Sequence, residues 1–158
     1  MTTDTDFTIT SGTTTNNGNT INGGDTVNVT GALTTTGTDE GIKTTNNDTL
    51  AQKNTITVSG TGSITTEGTD AYGISNEGAD NKITLSGSIK TEGATARGIY
   101  NNGASNTATI SGSITTTGST ADGIRNYGAS NEITISGTVK ATGASSAALN
   151  NESGYGSS

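Results

Sequence analysis

Asn81-Lys-Ile-Thr-Leu-Ser-Gly-Ser-Ile-Lys-Thr-Glu-Gly93 runs on to Gly98-Ile-Tyr-Asn-Asn-Gly103, and then the pattern starts again. Asn106 opens NTATISGSITTTGSTADGIRNYGAS, and Asn131 opens NEITISGTVKATG. The three opening asparagines stand 25 residues apart with nothing inserted between copies. A fixed period of this size is the signature of a repeat architecture, in which each copy is one structural unit stacked on the next. Working outward, Asn54 opens a copy two residues longer, the extra pair falling in Gly60-Thr-Gly62. Asp25 to Gly37 has the same design in looser form, and Asp6 to Gly12 opens a short, degenerate copy. About six units result. The expected organisation is a single domain over 1–158: a degenerate first coil at 1–24, regular coils over 25–143, and a last partial coil with a polar tail at 144–158.

Within a unit the period is two. Ile83 and Leu85 alternate with Lys82, Thr84 and Ser86, the pattern of a short half-buried strand, and Gly87 ends it. Ser88 to Glu92 is a second strand, ended by Gly93, and Gly98 to Asn101 is a third, ended by Asn102-Gly103. Three strands and three glycine-rich corners make a triangular coil. One coil cannot bury its own isoleucines, whereas a stack of coils can.

Stacking places Ile56, Ile83 and Ile133 in one column with Ala108 as its small member. Val58, Leu85, Ile110 and Ile135 form a second column, and Ile64, Ile89, Ile114 and Val139 a third. Ile74, Ile99, Ile124 and Leu149 form the fourth. All are aliphatic and mostly β-branched, which suits a pleated surface. The predicted fold is all-β: a right-handed parallel β-solenoid, or β-helix, of about six three-sided coils, its hand taken from the rule for parallel crossovers. Glycines at the corners are read as supplying positive φ and close backbone approach. Asn76, Asn101, Asn126 and Asn151 align as a ladder of amides hydrogen-bonded along the stack.

Composition narrows the function. Leu, Ile, Val and Phe supply only 23 of 158 residues, and there is no Trp, so no large aromatic core forms. Cysteine and histidine are both absent, which removes disulfides, thiolate metal sites and the commonest general base. A net charge of −7 opposes nucleic-acid binding, which needs basic stripes. No apolar run is long enough for a membrane span, and the opening MTTDTDFTIT carries no signal-peptide pattern.

The motif I-x-x-S-G-x-I followed by G-x-x-A-x-G-I-x-N-x-G, here Ile83 to Ile89 and Gly93 to Gly103, resembles the passenger repeats of bacterial autotransporter adhesins. Thr8-Ile-Thr-Ser-Gly and Asn22-Gly-Gly-Asp-Thr-Val resemble the first coils of such passengers, and the resemblance spans roughly residues 6–154. It implies an exported or cell-surface protein, a secreted stalk or adhesin, whose signal peptide and membrane barrel do not appear in this chain.

Candidate chemistry is sparse. Asp39-Glu40, Asp70 and the stacked Glu67 and Glu92 are the carboxylates available for acid–base work, yet no loops wall a cleft around them. Arg97 and Arg125 read as outward and unrelated to them. Asn22-Gly-Gly-Asp25 is a single partial echo of a calcium repeat and reads as a turn. Sequons at Asn28, Asn47 and Asn151 are what so Thr-rich a chain produces by chance. The Thr-x-Thr outer file of the first strand resembles the ice-binding faces of β-solenoid antifreeze proteins, but Lys82 and Glu132 interrupt it. Tyr100, Arg125 and Tyr127 fall together on the third face as a contact patch for glycan or protein.

The expectation is therefore a non-enzymatic extracellular structural or adhesive protein that needs no metal or cofactor. Its partners would be a glycan or protein on a host or neighbouring cell surface, or further copies of itself. Two alternatives are a filament subunit stacking end to end through open β-edges and an ice-binding solenoid.

Overall fold

A computed structural model describes residues 7–9, 19–21, 24–45 and 53–152, and among them the chain is all-β with no helix. It is a β-solenoid built from three parallel sheets. The first face stacks Phe7–Ile9, Thr26–Val29, Thr55–Val58, Lys82–Leu85, Thr107–Ile110 and Glu132–Ile135. The second stacks Ala32–Thr35, Ser63–Thr66, Ser88–Thr91, Ser113–Thr116 and Thr138–Ala141. The third stacks Asn19–Ile21, Ile42–Thr44, Ile74–Asn76, Ile99–Asn101, Ile124–Asn126 and Leu149–Asn151. Five coils thus carry a strand on all three faces, and the third strand of the last coil is complete.

The register follows from the sequence period. Ile110 lies between Leu85 and Ile135 on the first face, Ile89 between Ile64 and Ile114 on the second, and Ile99 between Ile74 and Ile124 on the third. The columns continue upward through Val27, Val29, Leu33 and Ile42. A slip of one residue would turn each of these side chains out to solvent, so burial holds the register. The sixteen aliphatic residues of the central cluster are at most 2% exposed. In the last coil the same columns open, with Ile135 38% and Leu149 45% exposed.

Polar groups inside the stack are paired. Thr35, Thr66, Thr91 and Thr116 point inward and are fully buried. Each hydroxyl donates across its corner to the carbonyl of Asp39, Ala71, Ala96 or Ala121 respectively. At another corner Thr44 Oγ1 donates to Asn76 Oδ1, Asn76 Nδ2 to Asn101 Oδ1, Asn101 Nδ2 to Asn126 Oδ1 and Asn126 Nδ2 to Asn151 Oδ1, all at 2.6–2.8 Å. The opening asparagines form a parallel line. The Asn81 backbone N–H donates to Asn106 Oδ1, and that of Asn106 to Asn131 Oδ1, both at 2.7 Å. Two side-chain bonds of 2.8 Å, Asn81 to Asn76 and Asn131 to Asn126, tie the lines together. A buried network of this kind stabilises only when every member is satisfied, as these amides are.

The corner glycines work differently from expectation. Only Gly24 and Gly37 have positive φ among the described glycines, and the left-handed corner positions belong to Asp70, Asp80, Thr95, Ser105 and Ser130. Most other corner glycines, Gly60 excepted, are required by crowding between coils. A Cβ on Gly41, Gly73, Gly98 or Gly123 would lie 2.5–2.6 Å from the carbonyl oxygen of the next residue in that column. The column ends in Ala148, an exposed residue of the last coil. Short polar residues tolerate left-handed backbone better than most, and Thr95 also donates locally to the Ala94 carbonyl; sequence alone did not separate these positions from ordinary strand residues.

Candidate functional site on the third face

Two of the three faces are nearly uniform. Outward positions on the first face read Thr55, Lys82, Thr107, Glu132 in one file and Thr57, Thr84, Thr109, Thr134 in the next. Lys82 and Glu132 are both exposed, so charge breaks the first file as the sequence indicated. On the second face the outward file is Thr34, Thr65, Lys90, Thr115, Lys140. Lys90 pairs with Glu92, and Glu67 and Glu92 are exposed on adjacent coils. The hydrogen bond and charge of Glu92 hold the Lys90 ammonium above its ordinary range, with a further contribution from Glu67.

The third face carries the larger side chains. Its outward file on the strand is Lys43, Ser75, Tyr100, Arg125 and Asn150. The sequence period sets a second file just before the strand: Glu40, Tyr72, Arg97, Asp122 and Ala147. At the upper end Lys43 lies 3.3 Å from Glu40 and 3.2 Å from Glu77. Partial burial alone would lower the Lys43 pKa, but the two carboxylates outweigh it and hold the ammonium above its usual range. At the lower end Arg125 pairs with Glu152 at 2.9 Å. Asp122, 5% exposed, accepts from the Ala147 backbone N–H at 2.8 Å and from Asn150 Nδ2 at 3.1 Å.

Between these ends Tyr72 and Tyr100 meet with ring centroids 5.2 Å apart and planes tilted by 52°. The Arg97 guanidinium carbon lies 5.2 Å from the Tyr72 centroid and 5.3 Å from that of Tyr100, within cation–π range of both. Arg97 Nη1 donates to the Tyr72 hydroxyl at 2.8 Å. Burial pushes the Tyr100 phenol pKa up, Tyr72 adds to the rise, and Arg97 and Arg125 oppose it. Ser75 is fully buried, and its hydroxyl has no partner among the described residues.

The structure therefore redraws the patch expected at Tyr100, Arg125 and Tyr127. Tyr100 and Arg125 are register neighbours, but the ring contacts of Tyr100 go to Tyr72 and Arg97, and Arg125 is committed to Glu152. Tyr127 is half-buried on the coil of Arg125, just past its strand. Arg97, read from the sequence as outward and unrelated to the candidate carboxylates, is the centre of the cluster. Tyr72 and Arg97 stand 25 residues apart in one file, so the period itself was the signal that joins them.

The remaining candidates stay apart. Asp39 serves through its backbone carbonyl, Glu40 through Lys43, and Asp70 through the hydroxyl of Thr95. No group of three or more His, Cys, Asp or Glu is arranged to hold a metal among the described residues. Asn28 lies in the first-face ladder, and Asn151 accepts from Asn126. The Asp25 backbone N–H donates to Asn54 Oδ1, while Asn22-Gly23, Asn47 and the tail 153–158 lie outside the described residues. No described helix is long and apolar enough to cross a membrane. Comparisons with protein-family models, with curated proteins and with solved structures gave no match, so fold and surface chemistry alone carry the functional argument.

Proposed function

We propose that this chain is a non-enzymatic structural element of a bacterial cell-surface or secreted protein, a stiff stalk or adhesin passenger segment that presents its third face. The observation that carries this reading is the uninterrupted ladder over 53–152: four full coils in register with no loop leaving the stack. Each coil contacts only its neighbours, and over 53–152 no loop leaves the stack for a protease to enter. Five coils at about 4.8 Å give a length near 24 Å. Glu67, Glu92 and Asp70 lie at exposed positions with no loop walling a cleft around them over 53–152, which supports a non-catalytic role.

Self-stacking is the weaker alternative. The exposed Ile135 and Leu149 are what a stacking partner would cover. Ala148 opposes it, because its Cβ occupies the space into which the next coil's carbonyl fits at Gly73, Gly98 and Gly123. Antibodies raised against the protein should label intact cells that express it, and trypsin should leave a fragment containing residues 54–152. Labelling only after permeabilisation, or rapid cleavage inside that fragment, contradicts the proposal.

A further inference from the structure

We propose that Tyr72, Arg97 and Tyr100 form a binding subsite for the carboxylate of an acidic saccharide, a uronic-acid unit in particular. The inference deepens the reading of the third face as a presented surface and rests on it. It begins from the balance of charge. The chain has 14 acidic and 7 basic side chains, so a half-buried cation without a counter-charge is unexpected. Lys43 is held by Glu40 and Glu77, and Arg125 by Glu152. Asp122, one coil below Arg97 in the same file, spends both oxygens on Ala147 and Asn150. Arg97 is half-buried, forms no ion pair among the described residues, and has its Nε buried without a partner there.

Arg97 is also held in place. Two tyrosine rings flank the guanidinium at 5.2 and 5.3 Å, and one Nη1 hydrogen is fixed on the Tyr72 hydroxyl. A planar fork whose orientation is already fixed loses little freedom on binding. Nε is buried out of reach of a ligand, and the donors left on Nη1 and Nη2 suit two oxygens in one plane, as in a carboxylate. The half-buried phenol rings beside it offer an apolar surface with polar tips, which matches the C–H faces and hydroxyls of a pyranose.

A peptide carboxylate fits the setting less well. Extended peptides bind by adding a strand to a free edge. Here Ile74–Asn76 and Ile99–Asn101 are interior strands whose ladders are filled by neighbours on both sides.

The test is isothermal titration of the whole chain with three probes: a tetrasaccharide containing glucuronate, a neutral tetrasaccharide of the same length, and a tetraglutamate peptide. The uronate saccharide should bind, more weakly at high salt, and the neutral one should not. Arg97→Gln should weaken binding by about tenfold or more, and Arg97→Lys, which keeps the charge but loses the fork, by less. Circular dichroism verifies that each variant keeps its fold, and Tyr100→Leu tests the ring platform without touching the charge. Failure of the native chain to bind the uronate saccharide, equal binding by Arg97→Gln, or preference for the peptide overturns the proposal. Small-angle scattering on the same samples separates the two levels: a rod that does not bind sinks the subsite alone, and a particle that is not a rod sinks the reading beneath it.

Discussion

Replacing Asn101 by Asp changes one NH2 group to an oxygen in the middle of the amide ladder and alters shape hardly at all. Asn101 is 1% exposed. It accepts from Asn76 at 2.7 Å and donates to Asn126 at 2.8 Å. The new carboxylate keeps the first bond. In place of the second it sets its new oxygen against Asn126 Oδ1, which keeps its bond from Asn131, and that new oxygen is a buried acceptor without a donor, which costs about 1–3 kcal/mol. Burial also penalises the charge. A rise of roughly two units in the folded-state pKa adds about 3 kcal/mol at neutral pH. Together these give a loss of about 4–6 kcal/mol, or a fall in Tm of roughly 10–20 °C for a chain of this size.

The sign with pH follows directly. The folded-state pKa lies above the unfolded value near 3.9, so the charge penalty is absent below about pH 4 and grows as pH rises through that value. It is complete above the folded-state pKa. In acid the protonated group can donate to Asn126 and restores the ladder. Melting curves by far-ultraviolet circular dichroism at pH 7 and at about pH 3.5 should show a large deficit that shrinks in acid, relative to the native chain at each pH. Asn102→Asp, at an exposed neighbouring position, adds the same charge and should melt close to the native chain. If the two variants melt alike at pH 7, or the Asn101→Asp deficit is the same at both pH values, the buried-ladder reasoning is wrong.

Other variants probe the remaining elements. Ile114→Asp puts an unpaired charge between Ile89 and Val139 and should unfold several coils, whereas a full β-signal and an unchanged Tm would deny that the column is buried. Gly98→Ala sets a Cβ 2.5 Å from Gly123 O and should cost about 1–3 kcal/mol, while Gly60→Ala, with open space around it, should be near neutral in the same denaturant titration. Arg97→Gln removes one of the charges that lower the Tyr100 pKa, so the phenol should titrate still higher by ultraviolet absorbance. A lower value would contradict the stacking.

The aliphatic columns were legible because an isoleucine that recurs every 25 residues marks a position buried in the same way on every coil, and the register pairs Ile110 with Leu85 as the period requires. The inward threonines were less so. Thr91 is two residues from Ile89 and shares its face, but threonine serves equally well inside and outside, and its hydroxyl finds a partner only once the corner is folded. Glycine gave the right positions with half the reason, since close approach between coils depends on atoms that only the stack brings together. The Tyr72–Arg97–Tyr100 cluster was missed because two of its members lie outside the strands, where period-two alternation says nothing about direction.

Equal spacing of Asn81, Asn106 and Asn131 makes the molecule a ruler that can be re-cut. Duplicating residues 106–130 would add one rung, about 4.8 Å, and keep the aliphatic columns and asparagine lines in register, although Arg125 would then stack on a second Arg125. Unequal recombination between near-identical copies could therefore lengthen or shorten the rod in whole notches. Reach would then vary among descendants while the cross-section and its chemistry stayed fixed.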